Sequence, residues 1–190
     1  MLLSQFPTLE TERCLLREII SSDEQQIFEY FSDPQVLQYY GLEPFTRREQ
    51  AEQFIMQMQT GIKSGSILRW GIEKKDNHSL IGTIGFHNWS KSHHRAEIGY
   101  ELNHKEWNKG FMTEVLATII PYGFGHLALN RIGAVVRKEN VFSRRVLEKF
   151  GFREEGNLQE YQFYLGQYYD LLMYGLVQRT FLNRKTGENS

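Results

Sequence analysis

Residues 107–114, Trp-Asn-Lys-Gly-Phe-Met-Thr-Glu, have the features of an anion-binding turn. They follow a strand-like stretch, residues 96–102, and precede a segment of helical apolar periodicity, residues 115–127. Gly110 permits a tight turn between the two. A helix that starts directly after such a turn has several backbone N–H groups without intrahelical partners, at the positive end of the helix dipole. The sequence therefore predicts a site for a pyrophosphate here.

Two carboxylates and a second helix start supply further polar groups. In the strand predicted over residues 94–102, alternation places Glu97, Gly99 and Glu101 on one face. Two neighbouring carboxylates could repel each other and raise one pKa towards neutrality. The alternative is that Glu97 forms an ion pair with an arginine and only stabilises the sheet. Further along, Asn140 is a good N-cap and puts Ser143 at the third helical position.

The elements that must position these groups follow from hydrophobic periodicity and from turn residues. Ser22 is expected to cap the first helix, Asp33 a short second helix and Thr46 the third. Pro121 predicts a kink in the helix after the anion-binding turn, and Gly151 is the expected left-handed C-terminal cap of the last helix. The predicted strands are 11–18, 66–74, 79–88, 94–102, 130–137, 152–163 and 168–179, and the longer helices are 23–31, 46–62, 110–127 and 140–150.

The chain resembles the GNAT N-acetyltransferases, and most closely their RimJ/RimL-like branch, whose founding members acetylate N-termini of ribosomal proteins. That branch often has Trp-Gly-Lys-Gly followed by Thr-Glu. Asn108 replaces one glycine of this variant, and Met112 stands where the wider family has Gly or Ala. The positions that fit are Trp107, Lys109, Gly110, Thr113 and Glu114, and further matches are residues 11–17, 33–36, 80–85, 129–132, 140–152 and Asp170.

This resemblance implies the GNAT fold, an α/β (α+β) architecture. Its mixed, largely antiparallel sheet is splayed between the fourth and fifth strands, and helices cover both faces. The pantetheine arm of acetyl-CoA lies in that gap. The resemblance implies a single N-acetyltransferase domain over residues 1–190, with a core at about 10–180. The implied cofactor-binding residues are Tyr100, Leu102, Trp107, Asn108, Lys109, Gly110, Phe111, Met112, Thr113, Asn140 and Ser143.

The resemblance also suggests catalytic roles. Glu97 lies where some GNAT members have a general base that works through water. An oxyanion would meet a backbone N–H near Tyr100–Leu102, beside a bulge eased by Gly99; the alternative is that Gly99 only permits close packing. Many members use a tyrosine as general acid, but this chain has Leu147 there. The branch's Asn-x-x-Ser pattern makes Ser143 the expected donor to the departing thiolate, and a C-terminal tyrosine such as Tyr164 is the alternative.

Composition limits the classes of protein. The chain has 190 residues, 22 basic and 23 acidic, with a net charge of −1. A nucleic-acid binder would usually show a basic excess. One cysteine, Cys14, excludes an intrachain disulfide. The first seven residues do not resemble a signal peptide, and the longest apolar run is too short to cross a bilayer. We therefore expect a cytoplasmic protein that binds neither nucleic acid nor membrane; a homodimer stays open.

Two functions from different classes fit these residues. The first is an acetyl-CoA-dependent N-acyltransferase. Its acceptor is a protein N-terminal amine or, alternatively, a small amine such as a polyamine or an antibiotic. The second is a non-catalytic CoA-binding or interaction module on the same scaffold. No metal is expected, because the adjacent pair His93 and His94 would point to opposite faces of a strand and has no companion ligands.

Overall fold

One eight-stranded mixed sheet forms the framework of the protein, in the order β1-β2-β3-β4-β5-β6-β8-β7. The computed structural model describes residues 5–186, and side chains as far as residue 184. All neighbouring strands are antiparallel except β5 and β6, which are parallel. The strands are β1 Leu9–Glu10, β2 Cys14–Arg17, β3 Leu68–Lys74, β4 Leu80–Ser90, β5 Arg95–Leu102, β6 Arg131–Arg137, β7 Arg153–Tyr164 and β8 Gln167–Val177.

Helices cover both faces of the sheet. The larger hydrophobic core joins α4 and α5 to alternate residues of the strands, such as Trp70 and Ile132. A second apolar cluster joins α1, α2 and α3 on the other face, centred on the buried ring of Phe31. The helices are α1 Glu24–Phe31, α2 Pro34–Leu37, α3 Arg48–Ser64, α4 Phe111–Gly125, α5 Val141–Lys149 and α6 Gln178–Thr186, with single 3-10 turns at Ser21–Asp23 and His104–Glu106.

This architecture confirms the predicted fold class, including the strand pair at which the sheet opens. Because β1 is a short extra strand, the predicted fourth and fifth strands are β5 and β6. Asp33 caps α2 as expected, by accepting a hydrogen bond from the Gln35 N–H. Gly151 follows α5 with a φ of +90°, in the left-handed region. Within the described residues, no helix combines the length and apolar character needed to cross a bilayer.

Three details of the predicted elements are wrong. Ser22 does not cap α1, because the Asp23 carboxylate binds the Arg17 guanidinium and the Ile20 N–H and draws residues 21–23 into a 3-10 turn. Helix α3 starts after Arg47 instead of Thr46, and the Gln50 side chain accepts the N–H groups of both. Helix α6 follows β8 directly and was not predicted.

Candidate active site

The sheet opens at one place, between β5 and β6. These strands pair only over Arg95–Arg131, Ala96–Ile132 and Glu97–Gly133 and then diverge. On their outer sides both strands stay paired to their ends, β5 with β4 and β6 with β8. A cavity of about 870 Å³ lies at the divergence. Its size is in the range of pockets that hold a small molecule or cofactor.

Nearly all predicted cofactor-binding residues line this cavity. The exception is Lys109, whose ammonium lies 3.2 Å from a Glu106 carboxylate oxygen. The cavity-lining residues from the predicted set are Tyr100, Leu102, Trp107, Asn108, Gly110, Phe111, Met112, Thr113, Asn140 and Ser143. The structure thus brings β5, the turn before α4 and the start of α5 around one space.

The predicted anion-binding turn has the expected backbone geometry. Gly110 is the N-cap of α4 with a φ of +85°, and Asn108 has a φ of +61°. The first intrahelical bond runs from the Glu114 N–H to the Gly110 carbonyl, at 3.0 Å. The N–H groups of residues 111–113 therefore precede the first helical hydrogen bond and are available to an anion at the positive end of α4.

The segment between β1 and β2 holds this turn in place. The Glu114 carboxylate accepts hydrogen bonds from the Thr11 hydroxyl at 2.5 Å, the Arg13 N–H at 2.7 Å and the Arg13 Nε at 2.6 Å. Arg13 also donates to the Lys109 carbonyl at 3.0 Å and lies 4.2 Å above the Phe111 ring. Burial raises the pKa of Glu114, but these hydrogen bonds outweigh it and the pKa is lowered overall. The turn is therefore fixed to the sheet edge.

Two hydroxyl groups meet across the gap between the diverging strands. The Tyr100 hydroxyl, on β5, lies 2.8 Å from the Ser143 Oγ, on α5. Burial raises the pKa of Tyr100 to about 12, so this phenol keeps its proton at neutral pH. The Asn140 side chain accepts the Ser143 N–H at 3.1 Å, which confirms the predicted cap of α5. Leu147 is fully buried and has no proton to donate.

Glu97 lies beside the cavity and contacts a histidine that lines it. Glu97 and His87 face each other on β5 and β4, and their Oε2 and Nε2 atoms are 3.6 Å apart, a distance longer than a normal hydrogen bond. The interaction with His87 lowers the pKa of Glu97. The expectation that repulsion between Glu97 and Glu101 would raise one of their pKa values is therefore not met at Glu97. His87 itself was not singled out from the sequence, because its partner depends on the β4–β5 register.

Glu101 is engaged in a buried network instead of facing Glu97. Its carboxylate binds the Arg69 guanidinium and the Thr83 hydroxyl, and Arg69 Nε also donates to Thr83 at 2.5 Å. All three residues are buried. Both Arg69 and Glu101 line the cavity. This pair neutralises two charges at the cavity wall.

Gly99 has a packing role. The pairing of β4 with β5 is regular from Leu102 to Glu97, so the predicted bulge at Gly99 is absent from this ladder. The register shift lies further on, between His87 and Ser90. A Cβ atom at Gly99 would lie 3.0 Å from the His87 ring, so the glycine gives that imidazole its space.

The fold and this site define an acetyltransferase. The sequence profile of the Acetyltransferase (GNAT) domain matches residues 13–153. The chain therefore belongs to the GNAT family, in its RimJ/RimL-like branch, and is an N-acetyltransferase. Enzymes of this family use acetyl-CoA as the acyl donor.

Similar proteins extend over nearly the whole chain. The protein is 45% identical over 173 residues to the uncharacterized N-acetyltransferase YoaA of Bacillus subtilis (strain 168), covering 91% of this chain and 98% of that one. The ribosomal-protein-S5-alanine acetyltransferase from Vibrio fischeri superposes with a TM-score of 0.76 at 25% identity, over 92% of this chain and 98% of that one. The spermidine N-acetyltransferase from Vibrio cholerae, in complex with CoA and spermine, gives 0.79 at 25% identity, over 90% and 99%.

Proposed function

We propose that this N-acetyltransferase transfers the acetyl group of acetyl-CoA to the N-terminal amine of a protein. The observation that carries the proposal is the cavity at the β5–β6 divergence. It gathers the start of α4, the Tyr100–Ser143 pair and the His87 ring around one space. These are groups for holding a phosphate, serving a thiolate and accepting a proton, which are the needs of amine acylation.

The donor would be held by backbone groups. The N–H groups of Phe111, Met112 and Thr113 are placed to bind pyrophosphate oxygens at the positive end of α4. The unpaired edges of β5 and β6 beyond Glu97 and Gly133 offer backbone partners to the pantetheine amides, much as a strand would be added to a sheet. Met112 lines this part of the cavity, so its bulk is accommodated by the turn.

Proton transfer would use two pairs of side chains. The acceptor is an ammonium group at neutral pH and must lose a proton before its nitrogen can attack the thioester carbon. His87 lines the cavity and Glu97 supports it, so this pair is placed to take that proton, directly or through water. As the new C–N bond forms and the C–S bond breaks, the Ser143 hydroxyl can donate a hydrogen bond to the departing thiolate. Tyr100 lies 2.8 Å from the Ser143 Oγ and stays protonated, because burial raises its pKa to about 12, so it can orient that hydroxyl.

The charges around the cavity favour an acceptor with a single amine. Of the carboxylates that line it, Glu101 is paired with Arg69, and Glu106 lies within 3.2 Å of the Lys109 ammonium. Glu139 also lines the cavity but is exposed to solvent. A polyamine carries several positive charges and would need several unpaired carboxylates. A protein N-terminus brings one charge and a chain of neutral peptide groups.

A small polyamine is the second candidate acceptor. The observation that favours it is the close structural similarity to the Vibrio cholerae spermidine N-acetyltransferase. The similarity to the S5-alanine acetyltransferase has the same identity, so the two relatives do not separate the acceptors. The cavity of this chain favours a protein N-terminus, because two of its three described carboxylates are paired with cations and the third is exposed.

An acetylation screen tests the proposal. Purified protein is incubated with acetyl-CoA and either N-terminal peptides, spermidine or aminoglycosides, and both CoA release and the mass of the acceptor are followed. Peptides whose N-terminus is already blocked are the matched controls. We expect free peptides to gain 42 Da, the mass of an acetyl group added in place of hydrogen, and blocked peptides to stay unchanged.

The screen has two outcomes that contradict the proposal. Efficient acetylation of spermidine with no peptide modified would assign the small-amine function. Tight CoA binding without acetylation of any amine would assign a non-catalytic CoA-binding module.

A further inference from the structure

Arg137 is a buried cation on the cavity wall without a charged partner. It is the last residue of β6, is 5% exposed and lines the cavity. Its Nη2 atom is buried and has no hydrogen-bond partner. Among the side chains that the structure describes, no carboxylate forms an ion pair with it.

The groups that do touch Arg137 are neutral. Its Nε donates to the Gln162 side-chain carbonyl at 2.6 Å. Its guanidinium carbon lies 3.6 Å from the centre of the Tyr169 ring and 5.1 Å from that of Tyr164. Cation–π contacts of this kind attract the guanidinium but leave its charge uncompensated. The three neighbours thus fix its orientation and leave the buried Nη2 donor without a hydrogen bond.

The second buried arginine of the cavity, Arg69, has its positive charge paired with a carboxylate. Arg69, at 6% exposure, has the Glu101 carboxylate and the Thr83 hydroxyl as partners. A buried charge is costly unless it is paired and hydrogen-bonded. Arg137 has the same burial and lacks the pair. Among the described side chains, Arg137 is therefore the buried cation of the cavity that is available to pair with an anion.

The position of Arg137 points to the acceptor as the source of that anion. Gln162, its hydrogen-bond partner, approaches the Tyr40 carbonyl at 3.5 Å, and Tyr40 contacts Arg69. Arg137 thus lies under the β7–β8 hairpin, on the sheet face that carries α2. The anion-binding turn belongs to α4, which packs on the opposite face. The phosphates expected at that turn are bound by other groups.

We propose that Arg137 binds a carboxylate of the acceptor, so that the enzyme prefers N-termini with an acidic residue close behind the reacting amine. A guanidinium with a free edge can hold a carboxylate through two parallel hydrogen bonds, which an amide of the same shape cannot match. The inference rests on the proposed peptide acetylation and names the class of peptide. It also gives a reason for poor use of polycations, which would meet an unpaired positive charge.

Matched peptide pairs test this inference. Each pair differs only by Asp against Asn, or Glu against Gln, at the second, third or fourth residue. We expect the acidic member to have a kcat/KM about ten- to a hundredfold higher at one of these positions, the range of a charge-assisted hydrogen bond. Arg137→Gln should reduce that ratio to about twofold or less. Arg137→Lys, which keeps the charge and loses the fork, should retain part of it.

Arg131→Gln is the matched control. Arg131 lies on the same strand, does not line the cavity and forms its ion pair with Glu155. This variant should keep the full acid-to-amide ratio. Acetyl-CoA affinity, measured by calorimetry, should be unchanged in both glutamine variants, and Arg131→Gln should also keep its rate with fully neutral peptides. These readouts separate a role in acceptor binding from a general structural one.

Three results would overturn the inference. Wild-type protein that acetylates peptides with no acid preference at any position refutes it directly, whether or not the variants fold. An acid preference that persists in folded Arg137→Gln protein assigns the carboxylate to another residue. The third result uses succinyl-CoA, a donor whose acyl group carries a carboxylate. If Arg137→Gln lost activity with succinyl-CoA and kept its full acid-to-amide ratio with acetyl-CoA, the carboxylate bound by Arg137 would be that of the acyl group. Failure to acetylate any peptide would instead remove the proposed function on which the inference rests.

Discussion

Replacing Gly110 by alanine should weaken CoA binding without unfolding the protein. Gly110 has a φ of +85°, a region that disfavours any residue with a Cβ atom. The space around it is not the obstacle, because an added Cβ would meet only the Arg13 guanidinium, at 3.5 Å, an ordinary contact. The cost of the substitution is therefore conformational.

The size of the effect follows from that cost. A left-handed conformation costs a non-glycine residue about 1–2 kcal/mol. If the turn keeps its shape, the melting temperature falls by about 2–8 °C for a chain of this length. If the turn relaxes instead, the N–H groups of Phe111 and Met112 turn away from the anion, and the same energy appears as a CoA affinity about five- to thirtyfold lower. Calorimetric titration with CoA and thermal melts, done together, measure both parts.

Gly166 supplies the matched control. It lies in the β7–β8 turn with a φ of +76°, and an added Cβ would have nothing within 4 Å. Gly166→Ala should therefore show a similar loss of thermal stability with unchanged CoA affinity. Should Gly110→Ala melt like the wild type, which would mean that the turn has relaxed, and still bind CoA as tightly, the anion site would not be at this turn.

Three further predictions concern side chains in the cavity wall or beside it. Ser143→Ala should lower kcat more than it changes KM, because a donor to the thiolate acts mainly in the transition state; unchanged kcat with normal melts would leave Ser143 only its place beside the Asn140 cap. Glu97→Gln should lower turnover with little effect on acetyl-CoA affinity. Because the pKa of Glu97 is lowered, its ionised form stabilises the fold above about pH 4.5, and this contribution is lost as the pH falls through the folded-state pKa. The melting temperatures of wild type and variant should therefore converge in acid. A constant difference between them at all pH values would contradict this. Glu101→Gln should destabilise the protein by about 3–5 kcal/mol in urea unfolding, since it leaves the Arg69 charge buried and unpaired, and the double change Arg69→Met with Glu101→Leu should cost less than the two single changes together.

The fold was predictable because its signals are local. Alternation and helical periodicity depend on neighbours along the chain, and caps such as Asp33 and Gly151 act on their own helix. The errors occur where a distant or unexpected side chain competes. Asp23 bonds to Arg17 and reshapes the start of α1, and no strong periodic signal marks α6.

The site was predictable to the extent that its residues are consecutive. The anion-binding turn and the Asn140 cap each lie within one short segment, so their spacing carries the information. The contacts that support these two features come from residues far away in the sequence. Glu114 meets Arg13 from 101 residues away, and the pairing of His87 with Glu97 depends on the register of two strands. In the sequence, Arg137 is an ordinary strand residue. Only the structure shows that it is buried and that no described carboxylate pairs with it.

The opening between β5 and β6 also bears on where the sheet presents unpaired backbone groups. An unpaired strand edge is a template on which other chains can add, and proteins usually shorten or distort such edges. Here the outer edges are of that kind: β1 has two residues, and β7 has register shifts near Gly156 and after Leu158. Regular unpaired edges also lie inside the sheet, on either side of the gap, over residues 98–102 of β5 and 134–137 of β6. At the outer edges of the sheet, unpaired backbone N–H and C=O groups would promote aggregation. In the gap between β5 and β6 a slender ligand can reach such groups, and a second folded chain cannot.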